Sequence, residues 1–159
     1  QLVALFVGSF ARTADMGIYL QAAEYLKEFP QVQLALVGGG VLEAELQAEI
    51  ERRGLDNLRL ITPLARADVA RVQAAADVLM LSLQAGQARH ALPSKLIAYM
   101  FSGRPVVAAL DGRHNLADAL DDAGALLLPH AAVAEGAGAP QPGARRLAVA
   151  HTYPCWAMR

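Results

Sequence analysis

The chain is 159 residues long, 55% hydrophobic and 18% charged, with a formal net charge of −1. That length and apolar content suit one domain with its own core and exclude a disordered chain. The near-neutral balance, without a Lys/Arg run, excludes a general pull toward nucleic acid.

Cys155 is the single cysteine, which rules out an internal disulfide or a cysteine-built metal site. Charged residues or prolines break every apolar run short of a membrane span. The chain enters LVALFV directly after Gln1, without Met or a signal peptide, and so reads as a domain of a longer protein.

In chain order, apolar runs predict strands at Leu2–Val7, Val32–Val37, Leu58–Ile61, Asp77–Leu81, Pro105–Ala109 and Ala125–Leu128. Between them, helical spacing predicts helices at Asp15–Phe29, Val41–Arg53, Ala67–Ala76, Pro93–Ser102 and Asn115–Asp122. Tyr19, Ala22, Ala23 and Leu26 make the apolar stripe of the first helix. In the second, Leu42, Leu46, Ile50 and Arg53 recur at helical spacing, while Glu43, Glu45, Glu49 and Glu51 face water. Strands apolar on both faces that alternate with helices predict a parallel sheet in a doubly wound α/β domain. After Pro129 no period is sustained and prolines accumulate, so residues 130–159 read as an irregular tail.

Ligands of such sheets bind beyond the C-terminal ends of the strands. The loops to watch are therefore Gly8–Ala14, Gly38–Gly40, Thr62–Arg66, Ser82–Leu92 and Leu110–His114. The segment LPSKLIAYMFSGRPVV, Leu92 to Val107, is the most informative. Pro93 is preset for a first helical turn, where its missing N–H costs nothing. Ser94 and Lys95 then sit where free N–H groups and the helix dipole favour an anion. Lys95 is either a phosphate contact or a solvated lysine.

The other loops carry weaker signals. Gly38, Gly39 and Gly40 permit either a simple tight turn or close approach of backbone to a phosphate. They match neither GxGxxG nor a P-loop. Arg12, in GSFART, offers a fork of donors for a phosphate, or is a solvated loop arginine. His90 stands in the loop before the key helix and is either a hydroxyl-binding or acid/base group, or neither. His114, His130 and His151 are too scattered for a metal site. Asp111 and Asp118 read as a loop residue and a helix N-terminal charge. No Ser/His/Asp set or carboxylate pair suggests that the chain performs chemistry alone.

Taken in order, strand-GSF-loop-helix, strand-VGGG-helix, NLRLITPL, AADVLMLSL and LPSKLIAYMFSGRPVVA resemble one particular family. It is the retaining GT-B glycosyltransferases of group 1, or family 4, and specifically their C-terminal, donor-binding domain. The closest branch is the one that builds bacterial surface polysaccharides. The likeness runs from about Leu2 to Leu128.

The resemblance implies a Rossmann-like sheet of about six strands with helices on both faces, forming one half of a GT-B fold. Residues 1–129 would be the donor domain, with 130–159 a truncated or frameshifted tail. The complete enzyme would move a sugar from a nucleotide diphosphate to a polysaccharide or lipid-linked acceptor, with no cofactor and no metal. Lys95 would meet the donor diphosphate with Ser94 beside it. Gly8, Ser9 and Arg12 would lie against the phosphates, with Lys95 and Arg12 stabilising the leaving group. Gly38 and Gly39 complete the glycine edge, Thr62 and Leu64 would border the base, and His90 joins the donor-binding set.

The acceptor would belong to an N-terminal domain outside this chain, leaving this part inactive alone. The expected location is cytoplasmic, with the inner face of the membrane reached through that other domain. Three departures from the family pattern stand out. Met16 replaces a frequent Lys, and His90 and Ala98 replace two frequent glutamates. Two other readings are a non-catalytic α/β binding or regulatory module and a nucleotide-sugar epimerase fragment. The first would want acidic residues clustered after the first strand, where VGSFAR has none. The second would want acidic and histidine groups in its cleft.

Overall fold

A computed structural model describes residues 1–62, 64–82, 94–111, 126–129 and 145–150. They fall into two units, Gln1–Met80 and Leu81–Arg159. The first opens with β1 (Leu2–Ser9), α1 (Gly17–Tyr25) and a 3-10 turn at Leu26–Glu28. There follow β2 (Val32–Gly39), α2 (Glu43–Arg53), β3 (Leu58–Ile61), a 3-10 turn at Arg66–Asp68, α3 (Val69–Ala75) and β4 (Val78–Ser82). The strand order is β3-β2-β1-β4, and each neighbouring pair is parallel.

Side chains alternate between the two faces of each strand. On one face Ala4, Phe6, Leu34, Leu36 and Leu58 enter a core with Tyr19, Leu20 and Ala23 of α1 and with Leu46 and Ile50 of α2. On the other, Leu5, Val7, Ala35 and Val37 are also buried. Double burial is the reason these strands are apolar throughout. The Phe6 ring lies 5.2 Å from Tyr19 and 6.2 Å from Phe10, tilted in both cases, so three aromatic side chains anchor this face. Each such fully buried side chain contributes about 1.5–3 kcal/mol from removal of apolar surface from water.

Polar ties close the N-terminal side of this sheet. Asp77 Oδ2 accepts from the Val3 N–H at 2.8 Å, while the Asp77 N–H donates to the Val3 carbonyl at 3.0 Å. Buried Asn57 donates through Nδ2 to the Ala23 carbonyl at 2.8 Å, joining the turn before β3 to α1. Lys27 Nζ donates to the Arg53 carbonyl at 2.8 Å, placing a cation at the C-terminus of α2, where the helix dipole favours it.

Glu49 of α2 accepts from Arg52 at 2.7 and 2.8 Å and from Arg53 Nε at 2.8 Å. The hydrogen bonds from Arg52 and then Arg53 lower its carboxyl pKa to about 2. Its contribution to stability is complete above the ordinary carboxylate pKa and is lost as pH falls toward 2. Thermal melts of wild type and Glu49→Gln should therefore differ at neutral pH and converge by pH 2. A constant difference would show that the arginines do not act through charge.

The second unit contains α4 (Ser94–Phe101), β5 (Val106–Asp111), β6 (Leu126–Pro129) and β7 (Arg145–Ala150). Leu96, Tyr99, Val106 and Ala108 are buried. β7 pairs antiparallel with both β5 and β6, with Val107 opposite Val149 and Leu128 opposite Leu147.

The expected parallel α/β sheet is present, and two details are added: the described residues form seven strands where about six are expected, and β7 pairs antiparallel with β5 and β6. Part of the stretch read as an irregular tail is a strand, RRLAVA. A parallel neighbour needs a long crossover, usually helical, whereas an antiparallel one does not. The sequence between β6 and β7 is rich in Gly and Pro and has no helical period, which favours the antiparallel pairing. Residues 130–144 and 151–159, and the helix expected at Asn115–Asp122, lie outside the described residues. Among the described residues no helix is long and apolar enough to cross a membrane.

Candidate functional site

β1 and β2 do not stop where the glycines begin. Their parallel register continues through Gly8 opposite Gly38 and Ser9 opposite Gly39. The Phe10 N–H then donates to the Gly39 carbonyl at 2.9 Å, and the Leu42 N–H donates to the Phe10 carbonyl at 3.1 Å. These bonds clamp the loops after both strands to each other. A Cβ at Gly38 would run into the Gly8 carbonyl oxygen, and one at Gly40 would lie 2.6 Å from the Phe10 oxygen. Both glycines have φ values, 147° and 155°, that L side chains rarely adopt. Of the two readings of the glycine run, the tight fit to the chain's own backbone accounts for Gly38 and Gly40.

Gly39 differs. A Cβ there would meet only Glu43 Oε2, at 3.3 Å. Glu43 begins α2 directly after this loop, and its Oε1 accepts from Thr62 Oγ1 at 3.0 Å. Val37 is level with Ile61, so Thr62 follows β3 at the same edge of the sheet where Gly38 and Gly39 end β2. The structure thus brings Gly8, Ser9, Gly38, Gly39, Glu43 and Thr62 to one rim of the first unit. Arg12 is exposed in the loop after β1, and Leu64 is half-buried after β3.

Sequence reasoning placed Glu43 on a water-facing helix surface and missed this contact. The available signal is its position: an acidic residue three places after a glycine run stands on the first helical turn, at the strand-end rim. Val41, 80% exposed, and Ile61, 47% exposed, are large apolar residues on the segments that carry Glu43 and Thr62.

In the second unit Ser94 and Lys95 open α4 as expected, with Ser94 exposed and Lys95 half-buried. Burial lowers the Lys95 ammonium from its ordinary pKa to about 8. A poorly hydrated cation on the first turn of a helix is electrostatically suited to an anion. His90 and Pro93 lie outside the described residues. Among the described residues no cluster of His, Cys, Asp or Glu could hold a metal.

A family model described as Glycosyl transferases group 1 matches residues 1–139. The chain belongs to this family. No curated protein matches it. In fold it is similar to WaaG, a glycosyltransferase involved in lipopolysaccharide biosynthesis, with 24% identity and a TM-score of 0.61. That likeness covers 78% of this chain and 32% of WaaG.

HepE from Anabaena, solved with UDP and glucose, is 25% identical with a TM-score of 0.58, over 76% of this chain and 32% of HepE. The C-terminal domain of LpcC, a group 1 family protein of Francisella tularensis, is 17% identical with a TM-score of 0.56. It covers 67% of this chain and 57% of that domain. The chain therefore spans less than two thirds of each of these relatives, and it is part of a GT-B fold.

Proposed function

We propose that the chain is the donor-binding part of a retaining glycosyltransferase, which takes a nucleotide-diphosphate sugar and serves a polysaccharide or lipid-linked acceptor. The observation that carries the reading is Lys95, a half-buried cation at the start of α4, in a chain whose family is the group 1 transferases. HepE, similar in fold, has been solved with UDP and with UDP-glucose, which supports a nucleotide sugar as substrate.

In this reading Lys95 meets the diphosphate and Ser94 stands beside it. Gly8, Ser9 and Arg12 lie toward phosphate, with Gly39 half-buried on the same rim as Gly8 and Ser9. Thr62 and Leu64 border the base, and His90 belongs to the donor-binding set. Residues 1–129 form the donor domain, and the segment 130–159 adds β7 to it beside β5 and β6. Departure of the nucleotide diphosphate leaves negative charge on its terminal phosphate oxygens. Lys95 and Arg12 stabilise that charge electrostatically, and backbone N–H groups hold the phosphates in position.

The acceptor is bound by another domain, so this part has no turnover alone. The enzyme works in the cytoplasm, at the inner face of the membrane when that other domain associates with it. Calorimetric titration with UDP, GDP and ADP should show saturable binding of at least one of them. Absence of binding to all three by a folded chain would overturn the reading.

A further inference from the structure

Among the described residues, Glu43 is the carboxylate that the structure ties to the rim where β2 and β3 end. The Thr62 hydroxyl fixes Oε1 at 3.0 Å, and Oε2 lies over Gly39, where any side chain would crowd it. An ionised carboxylate accepts at about four lone-pair positions, so one bond from Thr62 leaves both oxygens able to accept more. Holding the side chain in one rotamer also removes part of the entropy cost of ligand binding. The segments carrying this pair also expose Val41, two residues before Glu43, and Ile61, next to Thr62, stiff β-branched surfaces of the kind against which a planar ring can lie.

We infer that Glu43 selects the base of the donor, favouring guanine over uracil; this rests on the nucleotide-sugar reading above. The chemistry is that of edges. Guanine presents N1–H and the N2 amino group side by side, two donors that match the two oxygens of a carboxylate. Uracil presents a single N3–H between two carbonyls, so a carboxylate gains one bond and faces two repelling oxygens. Adenine offers its N6 amino group beside the N1 acceptor and falls between them. Charge-assisted paired bonds are the stronger and more selective kind.

The test is calorimetric titration of the chain with GDP, ADP and UDP, repeated on Glu43→Gln and Thr62→Val. Wild type should bind GDP about tenfold or more tighter than UDP, as paired donor–acceptor matches typically discriminate. Glu43→Gln should lose most of that ratio, and Thr62→Val, which keeps the carboxylate but frees it, should lose part of it. Circular dichroism melts confirm that each variant is folded. A structural role for Glu43 would weaken GDP and UDP equally and leave the ratio intact, which would overturn the inference. So would UDP binding as tightly as GDP in wild type. Either result leaves the nucleotide-sugar reading standing, whereas no binding of any nucleotide by the folded chain overturns both.

Discussion

Replacing Lys95 with methionine is expected to weaken binding of a nucleoside diphosphate about 10- to 150-fold, the equivalent of losing a charged hydrogen bond of about 1.5–3 kcal/mol. Methionine keeps the apolar stem that packs at the start of α4, so the change isolates the charge. The pH dependence carries a second signature. With the ammonium at about 8, affinity for a diphosphate should fall as pH rises past that value, approaching about tenfold per pH unit, because the bound anion needs the proton. Folding responds in the opposite sense. Burying the charged form costs stability below pH 8, and that cost fades between 8 and the ordinary lysine pKa. Wild type should thus gain stability relative to Lys95→Met over the range where it loses affinity. Calorimetry and thermal melts from pH 7 to 9.5 read both slopes. Equal affinity of the two proteins, or a pH slope that survives in the variant, would remove Lys95 from the site.

The strands of the first unit were legible because parallel sheets bury both faces, which leaves runs such as LVALFV and VQLALV with no polar interruption. Their ends were not. Glycine reads as a breaker, yet β1 and β2 continue through Gly8 and Gly38 because each glycine is accommodated by the other, thirty positions along the chain. No local pattern encodes such a pairing. The helix at Ser94 was legible from proline and from the anion-friendly residues after it. The contact between Glu43 and Thr62 was not, because helical periodicity assigns a face to a residue but says nothing of what stands beyond the helix end. β7 escaped for a third reason: six residues of RRLAVA inside a Gly- and Pro-rich stretch carry too little alternation to stand out. Its pairing with β5 and β6 is a tertiary fact.

The close pairing of the first two strands makes Gly38→Ala a strongly disruptive single-methyl change. The added Cβ would meet a backbone carbonyl, Gly8 O, which cannot swing aside as the end of a side chain can. The residue must also hold a φ of 147°, outside the range in which alanine is comfortable. Strain of this kind costs about 1–3 kcal/mol, and overpacking adds a similar amount. Together they come to about 2–6 kcal/mol, enough to remove the stability of a domain at the lower end of the usual range of about 5–15 kcal/mol. Gly39→Ala is the internal control. One position along, the new methyl would meet only the flexible end of Glu43, and the backbone is not in the left-handed region. Urea unfolding followed by circular dichroism should therefore give a midpoint near wild type for Gly39→Ala and a collapsed or absent transition for Gly38→Ala. Equal midpoints would mean that β1 and β2 do not pair in this register. The glycine run would then revert to its other reading, a loop left open for a phosphate.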